Sequence, residues 1–327
     1  MNKICIATYV YGKDYQSFIP IYIYSILKHY PNYHVRIYLD NKLLPNIKLQ
    51  LDLLKDMGNF TIIEDYNSKA NISEDLKKNN YILRSLRWLI YDEAFNNYET
   101  VYIGDIDIFI CNEEVGLYEQ HMMHCKHLGL PYSNCIRTSQ LKTGGFKQLL
   151  YSVVKYGIKE TVKYYKYEEN EINRLTGLHF IKREEYYKKI LPIIPLFMER
   201  LDKLAKGKIS DWNLTMFNDE FLLYELVKAS GLGLPNKSSL GAINDSKNYK
   251  STSFRPHHGL HLGIFRSYAV AEKEKELILG TVYVNFYRQF CELRNDKTFQ
   301  SLEEHFSPYL VQLINTMHKF YRDNGEE

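Results

Sequence analysis

Through the first 110 residues the apolar pattern switches back and forth between the period of a strand and the period of a helix, and few folds accommodate that alternation. Residues 3–10 read as a short apolar strand, 17–30 as a helix stopped before Pro31, and 34–39 as an alternating strand. An amphipathic helix over 45–57 closes at Gly58, a third strand covers 60–64, a helix covers 81–95, and a strand over 101–110 carries an acidic pair. Strands alternating with helices imply βαβ units, a mostly parallel sheet and right-handed crossovers. In such sheets the ligand sits at the carboxyl ends of the strands. That places the expected site at residues 8–12, Asp40, Asp65 and Asp105–Asp107.

Beyond Cys111 the pattern is mixed: helices over 146–167 and 211–230, a short strand over 177–181 followed by a helix to about Ala205, and an aperiodic Asn/Ser/Lys/Gly stretch over 236–257 with the length of a lid. Two amphipathic helices close the chain. Ile278, Val282, Phe286, Phe290 and Leu293 form one apolar stripe, and Leu302, Phe306, Leu310, Leu313, Met317 and Phe320 form the other. The fold class expected is therefore α/β, a mostly parallel Rossmann-like sheet with flanking helices and a C-terminal helical extension.

Composition removes several function classes. Forty-two basic against 39 acidic residues leave a net charge of +3, too small for a dedicated nucleic-acid binder. The longest apolar stretch, 19–27, is far short of the roughly 20 residues that span a bilayer. Gly12-Lys13-Asp14 follows the first strand at once, which leaves no room for a signal peptide. Five cysteines without a CxxC motif fit free thiols in a reducing compartment. The expectation is a cytoplasmic protein.

The chemistry is concentrated in Val101-Tyr102-Ile103-Gly104-Asp105-Ile106-Asp107-Ile108-Phe109-Ile110. In an extended chain, residues two apart share a face, so Asp105 and Asp107 converge inside an otherwise apolar segment. Two carboxylates there repel each other and lose hydration, and a divalent cation is the natural compensation. Oxygen ligands of this kind suit Mg²⁺ or Mn²⁺ carrying substrate phosphates.

Together with Ile4-Cys5-Ile6-Ala7-Thr8-Tyr9 and the arginine-bearing helix, this segment resembles the nucleotide-sugar half of GT-A-fold glycosyltransferases, most of all the family 8 type that includes glycogenin and lipopolysaccharide galactosyltransferases. The resemblance covers 1–110 well and about 175–265 loosely. It implies that Ala7, Thr8 and Tyr9 line a uridine pocket, that Arg84 and Asp105-Ile106-Asp107 contact the nucleotide sugar, and that Asp105 and Asp107 ligate the metal. A late histidine completes the metal site in that family. The segment Arg255-Pro256-His257-His258-Gly259-Leu260-His261-Leu262-Gly263 offers His261, or alternatively His258, and one histidine beside two aspartates suits Mn²⁺ better than Mg²⁺. An acidic-amide pair that approaches the donor sugar in the family is matched here by Asp219-Glu220, taken as the catalytic pair, with Asn218 as a competing helix cap. For Arg87 the pattern favours cation–π packing on Trp88 instead of ligand contact.

On this reading residues 1–265 form the glycosyltransferase domain, with a donor half (1–110) and an acceptor half (111–265), and 266–327 form a helical region. The expected reaction moves a hexose from a UDP-sugar to a saccharide or lipid-linked acceptor in bacterial surface-polysaccharide synthesis, with retention. Partners expected besides the substrates are the inner face of the membrane, met peripherally, or a second copy of the chain through the C-terminal helices. The alternatives are a sugar-nucleotide-binding scaffold and a nucleotidyltransferase; the latter lacks its glycine-rich, basic N-terminal loop here. His121, His124, Cys125 and His127 form a rival set of metal ligands, but no second ligand pair stands at finger spacing.

Overall fold

In the computed structural model, which describes residues 2–140, 150, 153–154, 157–158, 161–162, 171–209, 212, 217–235 and 258–326, the alternating pattern becomes a six-stranded sheet. The strands are β1 (Asn2–Val10), β2 (His34–Leu39), β3 (Asn59–Ile63), β4 (Tyr98–Ile103), β6 (Tyr132–Ser133) and β9 (His179–Lys182), in the order β3-β2-β1-β4-β9-β6, while β7 (Ile136–Gln140) and β8 (Glu171–Leu175) form a separate antiparallel pair. The first four run parallel, and β9 pairs antiparallel with both β4 and β6. Strand β1 is buried on both sides, as a central parallel strand should be. Ile4 and Ile6 enter one core, while Cys5, Ala7 and Tyr9 enter the other.

The described helices of eight residues or more are α1 (Ile19–His29), α2 (Pro45–Asp52), α3 (Leu117–Leu128), α4 (Arg183–Ile190), α5 (Ile194–Ala205), α6 (Asp219–Ser230), α7 (Thr281–Leu293) and α8 (Pro308–Asp323). Helix α1 is apolar all round, and every residue from Ile19 to Leu27 is buried. It lies in the same core as Phe286 and Phe290 of α7 and Leu313, Met317 and Phe320 of α8, so the two C-terminal stripes complete the packing of the first helix. None of the described helices is long and apolar enough to cross a membrane. Most of the helix expected over 146–167, and all of the stretch 236–257, lie outside the described residues.

Two local expectations are corrected. The strand expected over 101–110 ends at Ile103. Gly104 donates a last bond to Ala7 O at 3.3 Å, the chain turns through Asp105-Ile106-Asp107, and β5 (Ile108–Ile110) leaves the main sheet to pair antiparallel with β10 (Gly259–His261). The pairing is close: a Cβ on Gly259 would stand 2.7 Å from the carbonyl carbon of Phe109, so only glycine fits. The helix expected over 81–95 is instead an α-turn over Asn80–Leu83 and two 3₁₀ segments, Arg84–Leu89 and Glu93–Asn97. Asp92 causes the break, because its carboxylate caps the second segment by accepting from Ala94 N at 2.8 Å and also accepts from Arg36 at 2.6 Å.

Candidate active site

A cavity of about 400 Å³ opens at the carboxyl ends of β1 and β4. Strand β1 contributes Thr8 and Tyr9 to its wall, followed by Val10 and Tyr11. Thr8 Oγ1 donates to Gly104 O at 2.9 Å and so ties the strand to the acidic turn. Tyr9 donates to Asn67 Oδ1 at 2.7 Å. Ala7 is buried in the core one residue short of the cavity wall. Tyr11 and Tyr15 stack with ring centres 5.7 Å apart and stand between this cavity and a second of about 310 Å³, lined by Lys13, Asp40, Asn67, Ser68, Lys77 and Asn80 among others.

The 3₁₀ geometry of Arg84–Leu89 has a direct consequence for the site. At three residues per turn, positions i and i+3 eclipse, so Arg84 and Arg87 point the same way. Arg87 bonds to both Asp105 and Asp219, and Arg84 Nε lies 3.4 Å from Asp219 Oδ1. The Arg87 guanidinium also sits 4.2 Å from the Trp88 ring centre, so the expected cation–π contact and the ion pairs coexist. Burial works against its charge, but Asp105 and Asp219 outweigh burial and hold the pKa above its ordinary value.

Asp219 and Glu220 begin α6, where Asn218 Oδ1 accepts from Phe221 N at 2.7 Å. The cap and the site therefore share one short stretch. With Asn218 satisfying the helix end, Asp219 is free to meet the arginines and Glu220 to accept from Gly177 N at 3.0 Å, with Arg137 3.4 Å away. Burial raises the pKa of Glu220, opposed by Arg137. A Cβ on Gly177 would crowd the site, standing 3.0 Å from Arg87 Nη2 and 3.2 Å from Asp105 Oδ2.

The two candidate histidines stand in different places. His261 faces the cavity with Nε2 3.2 Å from Asp107 Oδ2, and Asp107 O accepts from Leu262 N at 2.8 Å. Burial alone would lower the pKa of His261; the Asp107 carboxylate outweighs it and raises it. His258 does not line the cavity and is fully buried against Tyr102 of β4. Its Nδ1–H donates to Glu113 Oε1 at 2.6 Å, and its Nε2 lies 2.8 Å from His121 Nε2. His121 and His124 in turn each place Nδ1 2.8 Å from Ser133 Oγ, which accounts for two members of the rival metal set.

Among the described residues no group of three His, Cys, Asp or Glu side chains stands as a closed metal cluster. Asp107 and His261 do converge, one oxygen and one nitrogen donor, with Asp105 on the same turn but bonded to Arg87. Burial pushes the Asp105 carboxyl above the usual carboxylate range, against the pull of Arg87. Such a donor set fits a divalent cation that keeps its remaining positions for water and phosphate oxygens.

Arg137, Arg266, Tyr15 and Gly177 line the cavity and went unsuspected in the sequence, and Arg87 lines it as well as packing on Trp88. The spacing of Arg84 and Arg87 was a usable signal once a 3₁₀ turn was considered. Arg137 and Gly177 carry none.

The solved structures that this chain is similar to include glycosyltransferases, at low sequence identity and with TM-scores below 0.5. The galactosyltransferase LgtC, solved with donor and acceptor sugar analogues, is 12% identical over 68% of this chain and 70% of its own, with a TM-score of 0.37. Core-mannan synthase A from Aspergillus fumigatus, in its Mn/GDP form, is 9% identical over 73% of this chain and 72% of its own, with a TM-score of 0.43. The glycosyltransferase GlyE of Streptococcus pneumoniae is 10% identical, covering 98% of this chain and 64% of its own, with a TM-score of 0.41. No protein-family model and no curated protein sequence matches.

Proposed function

We propose that this protein is a divalent-cation-dependent glycosyltransferase that takes a hexose from a nucleoside diphosphate sugar. The observation that carries the reading is the charge pattern of the cavity. Arg84, Arg87, Arg137 and Arg266 interleave with Asp105, Asp107, Asp219 and Glu220 around one space at the strand ends. A pocket with both signs in balance suits a ligand of the same kind, and a diphosphate with its divalent cation is nearly neutral overall. Guanidinium groups recognise phosphate oxygens through paired N–H donors. Asp107 and His261, with Asp105, would hold Mn²⁺ or Mg²⁺, which supplies charge neutralisation to a departing nucleoside diphosphate. The nucleoside fits the second cavity, where Tyr11 offers a flat face and Asn67, Asn80 and Lys77 offer polar edges; a UDP-sugar is the donor we favour.

Asp219, kept in place by two arginines, provides negative charge beside the reacting sugar carbon. Glu220, anchored on Gly177 N–H, orients the acceptor hydroxyl from the Arg137 side. We infer net retention, a saccharide or lipid-linked acceptor, and work at the cytoplasmic face of a membrane that makes surface polysaccharide. A thermal-shift panel of UDP, GDP and their sugars with Mn²⁺ tests the donor class, because a ligand bound only to the native state raises the transition. Proton NMR of the product tests the stereochemistry. No shift with any nucleotide would overturn the donor reading, and a shift without metal-dependent donor hydrolysis would return the protein to the scaffold alternative.

A further inference from the structure

We propose that Arg87 is a positioning residue that makes cation binding conditional on the donor: it occupies Asp105 until a diphosphate gives its guanidinium another partner. The inference rests on the donor reading above and concerns what this chain's own arginine does to that site.

Arg87 is held in a defined place. Its side chain is 9% exposed, its guanidinium lies over Trp88, and it grips Asp105 with Nη1 and Asp219 with Nη2. Gly177 leaves the space in which those groups meet. Its Nε has no hydrogen-bond partner among the described residues, so one donor is unspent. Of the three side chains proposed to hold the cation, Asp107 and His261 already face each other, and Asp105 is turned onto Arg87.

A cation arriving by itself must take Asp105 from a buried guanidinium and leave that guanidinium with Asp219 only. Separating a buried, hydrogen-bonded charge pair is unfavourable, because the group left behind has lost its compensation. A diphosphate changes the balance, since its oxygens accept paired N–H bonds in the geometry guanidinium prefers. Arg87 then keeps Asp219 on one side, meets phosphate on the other, and releases Asp105. The two ligands thus favour each other, and by linkage the coupling is the same read from either side. Arg84 serves as the internal control, since it carries the same charge in the same cavity and pairs with Asp219, at 3.4 Å, where Arg87 pairs with Asp105 as well.

The test reads Mn²⁺ affinity without nucleotide, by electron paramagnetic resonance of free Mn²⁺, in full-length protein. Arg87→Met should tighten Mn²⁺ binding roughly tenfold or more over wild type. Arg84→Met should change it by less than about threefold, as expected for a screened charge without a direct Asp105 contact. Adding Asp105→Asn to Arg87→Met should abolish the gain. Should Arg87→Met fail to fold, Arg87→Lys keeps a cation but only a single-point contact, and should give a smaller gain in the same direction. Wild type binding Mn²⁺ alone as tightly as the Arg87 variants, with all of them still binding UDP plus Mn²⁺, overturns the latch and leaves the donor reading standing. Equal gains at Arg84 and Arg87 overturn it too, by reducing the effect to net charge. Failure of every variant to bind Mn²⁺ or UDP in any combination overturns both.

Discussion

His179 should make this protein acid-labile in a pH range where most carboxylates are still ionised. The residue lies on β9, wholly buried, with the rings of Tyr186, Tyr132 and Trp88 centred 5.2, 5.3 and 5.9 Å away. The Asn134 Nδ2 amide stands 3.0 Å from its Nδ1, an arrangement that favours the neutral ring. Burial, with the nearby Arg87 charge adding to it, lowers its pKa from 6.5 to about 3. Because the folded pKa lies below the unfolded one, the unfolded chain takes up the proton first as pH falls. The stability contributed by the neutral ring is complete above about 6.5 and is lost progressively down to about 3. At 1.36 kcal/mol per pH unit per proton, going from about pH 7 to about pH 5 costs ~2 kcal/mol from this residue alone. Urea unfolding of wild type and His179→Gln at those two pH values isolates the contribution. The variant starts less stable, but its loss between the two should be smaller by that amount. His29, His34 and His318 are also lowered by burial, and their contributions cancel because both proteins carry them. Equal losses in the two proteins would refute the argument.

Two further outcomes follow from the cavity. A Cβ on Gly263 would overlap Asp107 Oδ2 and stand 3.2 Å from His261 Nε2, so Gly263→Ala should weaken Mn²⁺-dependent nucleotide binding by at least about tenfold; its melting temperature should stay within about 3 °C of wild type, checked by calorimetry. Asp219→Asn should lower kcat by roughly 10²-fold or more with little change in donor KM, as measured by steady-state kinetics; a change confined to KM would make Asp219 a binding group only.

The sheet was legible because its signal is local. Each of the first four strands is a short apolar run closed by a turn or a helix, and β1 is buried on both faces, so little competes with the pattern. The acidic turn was legible as chemistry but not as geometry. Asp105 and Asp107 stand out in an apolar context, yet nothing local says that the strand ends at Ile103 and that β5 pairs with residues 259–261. The cation–π contact of Arg87 with Trp88 was legible, but its ion pairs were not, for a similar reason. An α-helical wheel separates Arg84 from Arg87 by 60°, and the 3₁₀ turn that aligns them is imposed by Ile90, which is extended, and by Asp92, which is drawn to Arg36. His258 and His261 are three residues apart in a motif that fits either. Only the alternation of a strand, with Glu113 and His121 as partners for the first, sends it inward and the second to the cavity.

The ribbon made by β5 and β10 brings Asp107 and His261 together across 154 residues of chain. At ribosomal rates of about 5–20 residues per second, the second of that pair is synthesised roughly 8–30 s after the first. Over that interval the four parallel strands and α1 are already available to fold, while the acidic turn has no histidine beside it and no second strand to fix its path. A nascent chain thus has time to organise the end of the cavity that Tyr11 and the strand ends define, but not the end where a phosphate-bound cation would be held. On the function proposed above, the order of synthesis would keep a half-built protein from acting on activated sugars.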